Sequence, residues 1–249
     1  MVGDASRLAE LLRKSGRGGP LNWIVSSHNF EHLPNPLSFL QDCGDLLTDD
    51  GLLMMVIPDQ RFIYDRFHPH TTTAQILRAA AHPHNASTEA WAAFEQAGLR
   101  YHLQSPDGAP KVAWNASVHS DRSLATSRPL ALHHARLKAL LTTDNFRFAG
   151  HRWRFTPSVF ELLLFDLGQL QLTRLRTVQV HPTRTSDFLV ILQRGSGEPM
   201  PEPAAAAHRL ALCCRIEDER AAASCLCQDQ ARRLAEQELE IERLRGKLG

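Results

Sequence analysis

Ile24-Val25-Ser26-Ser27-His28-Asn29-Phe30-Glu31-His32-Leu33-Pro34-Asn35-Pro36, followed by Gly51-Leu52-Leu53-Met54-Met55-Val56-Ile57-Pro58-Asp59, decides the reading of this chain. A short apolar run ends in Ser-Ser-His, a polar loop carries two histidines and a glutamate, and a helical pattern opens at Pro36. A second apolar run then stops at Pro58-Asp59. Apolar runs of this length bounded by turn residues read as buried strands, so the order is strand, polar loop, helix, strand. In an open parallel sheet the loops leaving the carboxyl ends of strands form the ligand crevice. The segments Ser26 to His32 and Pro58 to Arg61 are therefore expected on one rim.

Working outward, Leu37, Leu40, Leu46 and Leu47 give the helix after Pro36 an apolar stripe. Thr48-Asp49-Asp50-Gly51 reads as a turn, and the continuous run Leu52 to Ile57 as a strand covered by helices on both faces. Pro58 to Thr71 is dense in charge and rings. Asp59, Arg61, Asp65 and Arg66 either bind a polar acceptor or form an internal ion-pair lattice, and the residues alone leave both open.

These blocks resemble the distal half of the class I S-adenosylmethionine-dependent methyltransferases. The match is to the group with a Ser-His-x-x-Glu-His-x-Pro-x-Pro loop, a Pro-Asp-x-Arg-x-x-Phe-Asp step and a His-x-Trp-x-Phe-Thr-Pro step, here His151 to Pro157, over about residues 2 to 194. Two departures are Tyr64 where the group has phenylalanine, and Thr48 to Gly51 where it usually has Pro-Gly-Gly. The resemblance implies a Rossmann-like α/β sheet, S-adenosyl-L-methionine as cofactor, and a small-molecule or glycan acceptor methylated on oxygen or nitrogen. The family fold opens with a strand, a Gly-rich loop and a second strand ending in an acid; nothing ahead of Met1 supplies them, so an N-terminally incomplete sheet is expected.

The resemblance also suggests roles. Asp4 is expected against the adenine amino group with Ala5 beside it, although the bare spacing equally allows Asp4 to cap the helix that follows. Ser26 and Ser27 are expected along the cofactor. His28, Glu31 and His32 are the candidate catalytic group, because an imidazole accepts a proton near neutral pH and a carboxylate can orient it. A purely structural role, hydrogen-bonding the loop to its neighbours, carries equal weight. Asp59, Arg61, Tyr64, His151 and Trp153 are the candidate acceptor-binding residues, while Thr156-Pro157 is a plain helix start.

His28-x-x-Glu31-His32 also fits the inverted zinc-protease pattern, but Pro34 and Pro36 break the helix that pattern needs, and no metal site is expected. Cys213, Cys214, Cys225 and Cys227 crowd the tail without a common zinc-finger spacing and read as incidental thiols. Lys14 to Pro20 lacks the Gly-Lys-Ser/Thr ending of a phosphate loop. Asn85-Ala86-Ser87 and Asn115-Ala116-Ser117 are chance matches to a glycosylation acceptor, and His119, His133 and His134 are not expected to share an ion.

Composition narrows the partners. At 249 residues with 43% apolar content, the chain can bury one core with appendages, and a formal net charge of +1 provides no field for nucleic acid or an anionic membrane. Neither a leader nor a run of about 18 apolar residues is seen, so a cytoplasmic protein is expected. The domain expectation is an α/β unit over 1–195 with a helical insertion at about 60–150, a linker at 196–203, and a helical tail at 204–249. In the insertion Thr72 to Gly98 reads as helical, with Ile76, Leu77, Ala80, Trp91 and Phe94 packed inward and Pro83 as its break. Leu172 to Val180 and Asp187 to Leu192 read as a closing antiparallel hairpin around the turn at Pro182. In the tail Leu234, Ile241, Leu244 and Leu248 approximate a heptad seam, which allows either a single amphipathic helix or the start of a coiled coil suited to self-association. Two other functions compete: a non-catalytic methyltransferase-like interaction module, and a metal-dependent hydrolase.

Overall fold

The computed structural model describes residues 7–16, 20–82, 85–104, 110–111, 124–126, 128–195 and 198–248. Asp4 and Ala5, as well as Pro83, Asn115 and His119, lie outside them.

Helix α1 (Leu8–Lys14) is followed by β1 (Leu21–Ser27), α2 (Pro36–Leu46) and β2 (Leu47–Pro58). The insertion holds α3 (Thr73–Ala81), α4 (Ala86–Gly98), the short strands β3 (Tyr101–Gln104), β4 (Pro110–Lys111) and β5 (Leu124–Thr126), and α5 (Leu130–Leu141). The chain then returns through α6 (Pro157–Gln169), β6 (Leu175–His181) and β7 (Asp187–Arg194) before α7 (Ala204–Leu248). The fold is mixed α/β. Its main sheet has the order β1-β2-β7-β6, and β3, β4 and β5 form a separate small sheet that the residue pattern did not suggest.

In the main sheet β1 pairs parallel with β2, while β7 runs antiparallel to both β2 and β6. The parallel register sets Ser26 opposite Met55 and Ser27 opposite Val56, so both strands end at the same edge. The hairpin expected at the end of the chain is β6–β7, and β7 enters the sheet beside β2.

Two expectations for β2 are corrected. No turn separates it from α2, because the strand begins at Leu47 and runs through Thr48 to Gly51. Gly51 is needed in that strand for a different reason, since a Cβ there would lie 2.8 Å from the Leu21 carbonyl and 2.9 Å from a Leu47 methyl. Among the described residues, helices also cover one face only. Burial alternates along β2 and β7, and on the opposite face of β1 Trp23 and Val25 are 61% and 68% exposed. Alternation of this kind marks a sheet packed on one side.

The covered face carries Leu53, Met55, Ile57, Phe188, Val190 and Leu192, packed beneath α2 and α6. Each helix has a clear start. Asn35 accepts from Ser38 N at 3.1 Å ahead of α2, and Thr156 Oγ1 accepts from Val159 N at 3.3 Å ahead of α6, both with Pro in the first turn. Such caps satisfy amide groups that have no partner inside the helix. Between the helices lies an aromatic cluster in which Phe160 stands 5.4 Å from Phe30, 5.3 Å from Phe155 and 6.1 Å from Phe188.

In the insertion α3 and α4 start with capping boxes at Thr72 and Asn85. Trp91, expected inside, is 52% exposed; the helical period was right, but the inward face of α4 is that of Ala90. The expected tail helix is α7, whose first half buries Ala205, Leu212, Ile216 and Ala223, with its first turns lying against α6. The side chains of Leu234, Leu244 and Leu248 lie outside the described part, and Ile241 is exposed. No described helix is long and apolar enough to cross a membrane.

Candidate functional site

The loop after β1 is fixed from both sides. His28 N donates to Val56 O at 3.1 Å, which holds the loop against the end of β2. The turn of 3-10 helix over Phe30–His32 is clamped by the segment ahead of α6: Arg152 N donates to Glu31 O at 2.7 Å, Arg152 Nε to His32 O at 3.1 Å, and Trp153 Nε1 to Leu33 O at 2.7 Å. His28 itself has φ +47°, the left-handed region that L-residues seldom occupy. Residues held there concentrate at ligand sites.

The clamp gathers charged groups that are distant in sequence. Glu31 is fully buried and neither carboxylate oxygen has a hydrogen-bond partner. Its Oε1 lies 3.6 Å from His28 Nδ1 and 3.6 Å from His32 Nε2. His28 Nε2 reaches to 3.6 Å from Asp187 Oδ1, another buried oxygen without a hydrogen bond. An unsatisfied buried polar group costs on the order of 1–3 kcal/mol, and more when charged. Ligand atoms of Glu31, His32 and His151 all fall within 4.8 Å of one another.

His151 belongs to a relay. Its Nδ1 is 2.5 Å from Asp65 Oδ2 and its Nε2 is 3.0 Å from Tyr64 OH. With Nδ1–H donated to the carboxylate, Nε2 is the acceptor and the tyrosine hydroxyl donates to it. Burial, aided by the Asp65 charge, pushes the Tyr64 hydroxyl up to about 12, so it keeps its proton at neutral pH. Asp65 is held from behind, with Arg154 Nε 3.7 Å from its Oδ1 and His68 N donating to its carbonyl at 2.9 Å. Burial, reinforced by Arg154, holds the His68 ring below the usual histidine range. His68 thus stays neutral, its Nε2 against the carbonyls of Glu95 and Gln96 at 3.2 and 3.1 Å.

A hollow of about 680 Å³ opens beside this cluster, between α4, α5 and the chain at 146–150, with His32 and Tyr64 in its wall. Arg100, Arg128, Arg136 and Arg147 line it together with Phe146 and Phe148, and its described lining residues include no Asp or Glu. The Arg100 guanidinium lies over the Tyr64 ring at 4.4 Å. The hollow suits a molecule with an anionic group and an apolar or ring-shaped body.

The expected site residues separate into three sets. His28, Glu31, His32, Tyr64 and His151 come together. Ser26 and Ser27 sit at the end of β1, Ser26 buried with its Oγ 3.4 Å from Asn29 Nδ2 and Ser27 exposed. Asp59, Arg61 and Trp153 lie elsewhere. Arg61 grips both oxygens of the fully buried Asp59, at 2.9 and 2.5 Å, Thr183 donates to the same carboxylate at 2.5 Å, and Arg61 Nη1 donates to Glu219 O of α7 at 3.2 Å. Of the two readings left open, the internal brace is the one these bonds describe. Trp153 lines a second hollow of about 330 Å³, with Arg78 and Trp91.

Asp65 as the partner of His151, the carboxylate of Asp187 and the arginines Arg100, Arg128, Arg136 and Arg147 were not assigned such roles from sequence. Asp65 stands 86 residues from His151, and only the return of the chain ahead of α6 joins them. His133 is buried on α5 and His134 beside it is exposed, so the two point apart as expected. No protein-family model matches the chain, and no curated protein matches it.

Proposed function

We propose that the protein transfers the methyl group of S-adenosylmethionine to an oxygen or nitrogen of an acceptor that carries an anionic group. One observation carries the reading: the parallel strands β1 and β2 end side by side at Ser27 and Pro58, and an oriented set of acids and imidazoles stands immediately beyond them. Ligands of open α/β sheets bind at such an edge. The sheet order, a parallel pair followed by an antiparallel hairpin, and the Rossmann-like, methyltransferase-like order of the sequence blocks support the same reading.

In this reading Ser26 to His28 and the loop after β2 border the cofactor, and the acceptor enters from the hollow lined by Arg100 and Phe148. Methyl transfer is an in-line displacement, so holding the two reactants in line supplies much of the acceleration. His32, 35% exposed in its side chain, and the Asp65-oriented His151 are the bases within reach of an acceptor proton. His28 faces Glu31 and Asp187 and positions the loop.

A non-catalytic role, as an interaction module, is favoured by one feature, the exposure of Trp23 and Val25 on the open face of β1. Titration calorimetry separates the two. Methyl transfer requires that S-adenosylmethionine and S-adenosylhomocysteine each bind with a dissociation constant in the micromolar range, about −8 kcal/mol, and compete with one another. Absence of heat with both ligands at millimolar concentration sinks the methyltransferase reading and leaves the interaction module.

A further inference from the structure

We infer that Glu31, His32 and His151 form a binding site for a divalent transition-metal ion, with Asp65 orienting His151 from behind. The site goes beyond the proposed methyl transfer and does not depend on it; with an ion bound, His32 and His151 would be ligands, and an oxygen held on the ion would take the place of the imidazoles as proton acceptor.

Three observations converge. The ligand atoms of these side chains lie within 4.8 Å of one another, where two ligands of a tetrahedral ion with bonds of 2.0–2.1 Å would be about 3.4 Å apart. The required contraction is about 1.4 Å at most, within reach of side-chain rotation, and Glu31 Oε1 and His32 Nε2 are already 3.6 Å apart. The Glu31 carboxylate is fully buried with both oxygens unbonded, so it has the strongest unmet demand for a cation in the cluster. His151 Nδ1 is bonded to a carboxylate at 2.5 Å, the arrangement that commonly fixes a metal-ligating imidazole and leaves Nε2 to the ion.

Donor chemistry selects the kind of ion. Two imidazoles and one carboxylate suit borderline ions such as Zn²⁺, Co²⁺ or Mn²⁺; Mg²⁺ and Ca²⁺ prefer an all-oxygen set. Protein supplies three ligands, and the remaining positions face the hollow through His32 and Tyr64. A bound ion would thus be open to water or to an oxygen of the acceptor, as at sites that act on ligands rather than structural ones. Tyr64 OH, now 3.0 Å from His151 Nε2, would give up that bond and donate to the ion's open ligand.

Co²⁺ is the probe, because the tail cysteines offer a competing thiolate site whose near-ultraviolet charge-transfer band differs from the weak visible bands of nitrogen and oxygen ligation. The full chain, freed of metal with chelator, should take up a single equivalent with visible bands of nitrogen and oxygen ligation. Glu31→Gln and His151→Ala should abolish that uptake, and Asp65→Asn should weaken it about 10–100-fold. His32→Ala removes a half-buried ligand at the rim of the hollow with little risk to the fold, and should weaken binding at least tenfold with an unchanged circular dichroism spectrum. No uptake by the wild-type protein overturns the inference, as does uptake that all four variants retain or that shows only thiolate bands. No cofactor enters the titration, so its outcome is independent of S-adenosylhomocysteine binding.

Discussion

Replacing Arg152 by alanine is expected to destabilise the protein by about 3–5 kcal/mol, the usual cost of removing one partner from a buried ion pair. Arg152 Nη2 donates to Glu89 Oε2 at 2.5 Å and to Phe148 O at 3.0 Å, and its Nε donates to His32 O at 3.1 Å. The side chains of the pair are 7% and 1% exposed, so the Glu89 charge left behind would have little access to water. Phe148 N, which donates to the same Glu89 oxygen at 2.6 Å, would be its remaining close partner.

The position matters as much as the magnitude. This one guanidinium ties α4, the chain at 148 and the loop carrying Glu31 and His32, which are three sides of the candidate site. Alanine there should also loosen the hollow. Chemical denaturation measures the first effect, and amide exchange of residues 30–33 and 146–153 the second. The double variant Glu89→Met with Arg152→Met should recover most of the lost stability, because an apolar pair leaves no buried charge without a partner. If Arg152→Ala costs less than about 1 kcal/mol, the pair behaves as an exposed one and the clamp is not what holds the site.

Phe160→Ala is the second large effect, expected at about 3–5 kcal/mol. The ring is fully buried and touches Phe30, Phe155 and Phe188, which belong respectively to the Glu31 loop, the segment after His151 and the strand β7. A cavity there removes transfer free energy and packing from all three neighbours. Phe160→Leu should cost less than half as much, since most of the volume is refilled. Equal losses for leucine and alanine in thermal or denaturant unfolding would mean that ring geometry, rather than filled volume, stabilises this region.

Local features were legible in the residues. The strand, loop, helix and strand from Leu21 to Pro58, the Thr156-Pro157 start of α6 and the closing hairpin follow from apolar period, caps and proline. The gathering of His28, Glu31 and His32 was legible too, since these lie within five residues. What local pattern does not carry is pairing across the chain. Glu89 meets Arg152 over 63 residues, and Asp65 meets His151 over 86. Such contacts leave no period in the sequence.

The same limit explains the misplaced tryptophan and strand faces. An amphipathic period tells that α4 is a helix, but the face turned inward depends on where α5 and the chain at 148 lie, and Trp91 ended outside. A run as apolar as Leu52 to Ile57 suggests cover on both sides, whereas burial alternates along it, so that its residues pack fully on one face only. For Asp59 and Arg61, residue type allowed both a ligand site and a brace. The deciding partners, Thr183 and Glu219, came from the far end of the chain.

The most direct test of the account is to photolabel the full chain with S-adenosylmethionine tritiated on its methyl group and to map the labelled peptides. The account predicts label in the segments 21–36 and 56–68, which leave the ends of β1 and β2, and its suppression by excess S-adenosylhomocysteine. Label confined to the tail helix, or none that the competitor removes, would contradict it.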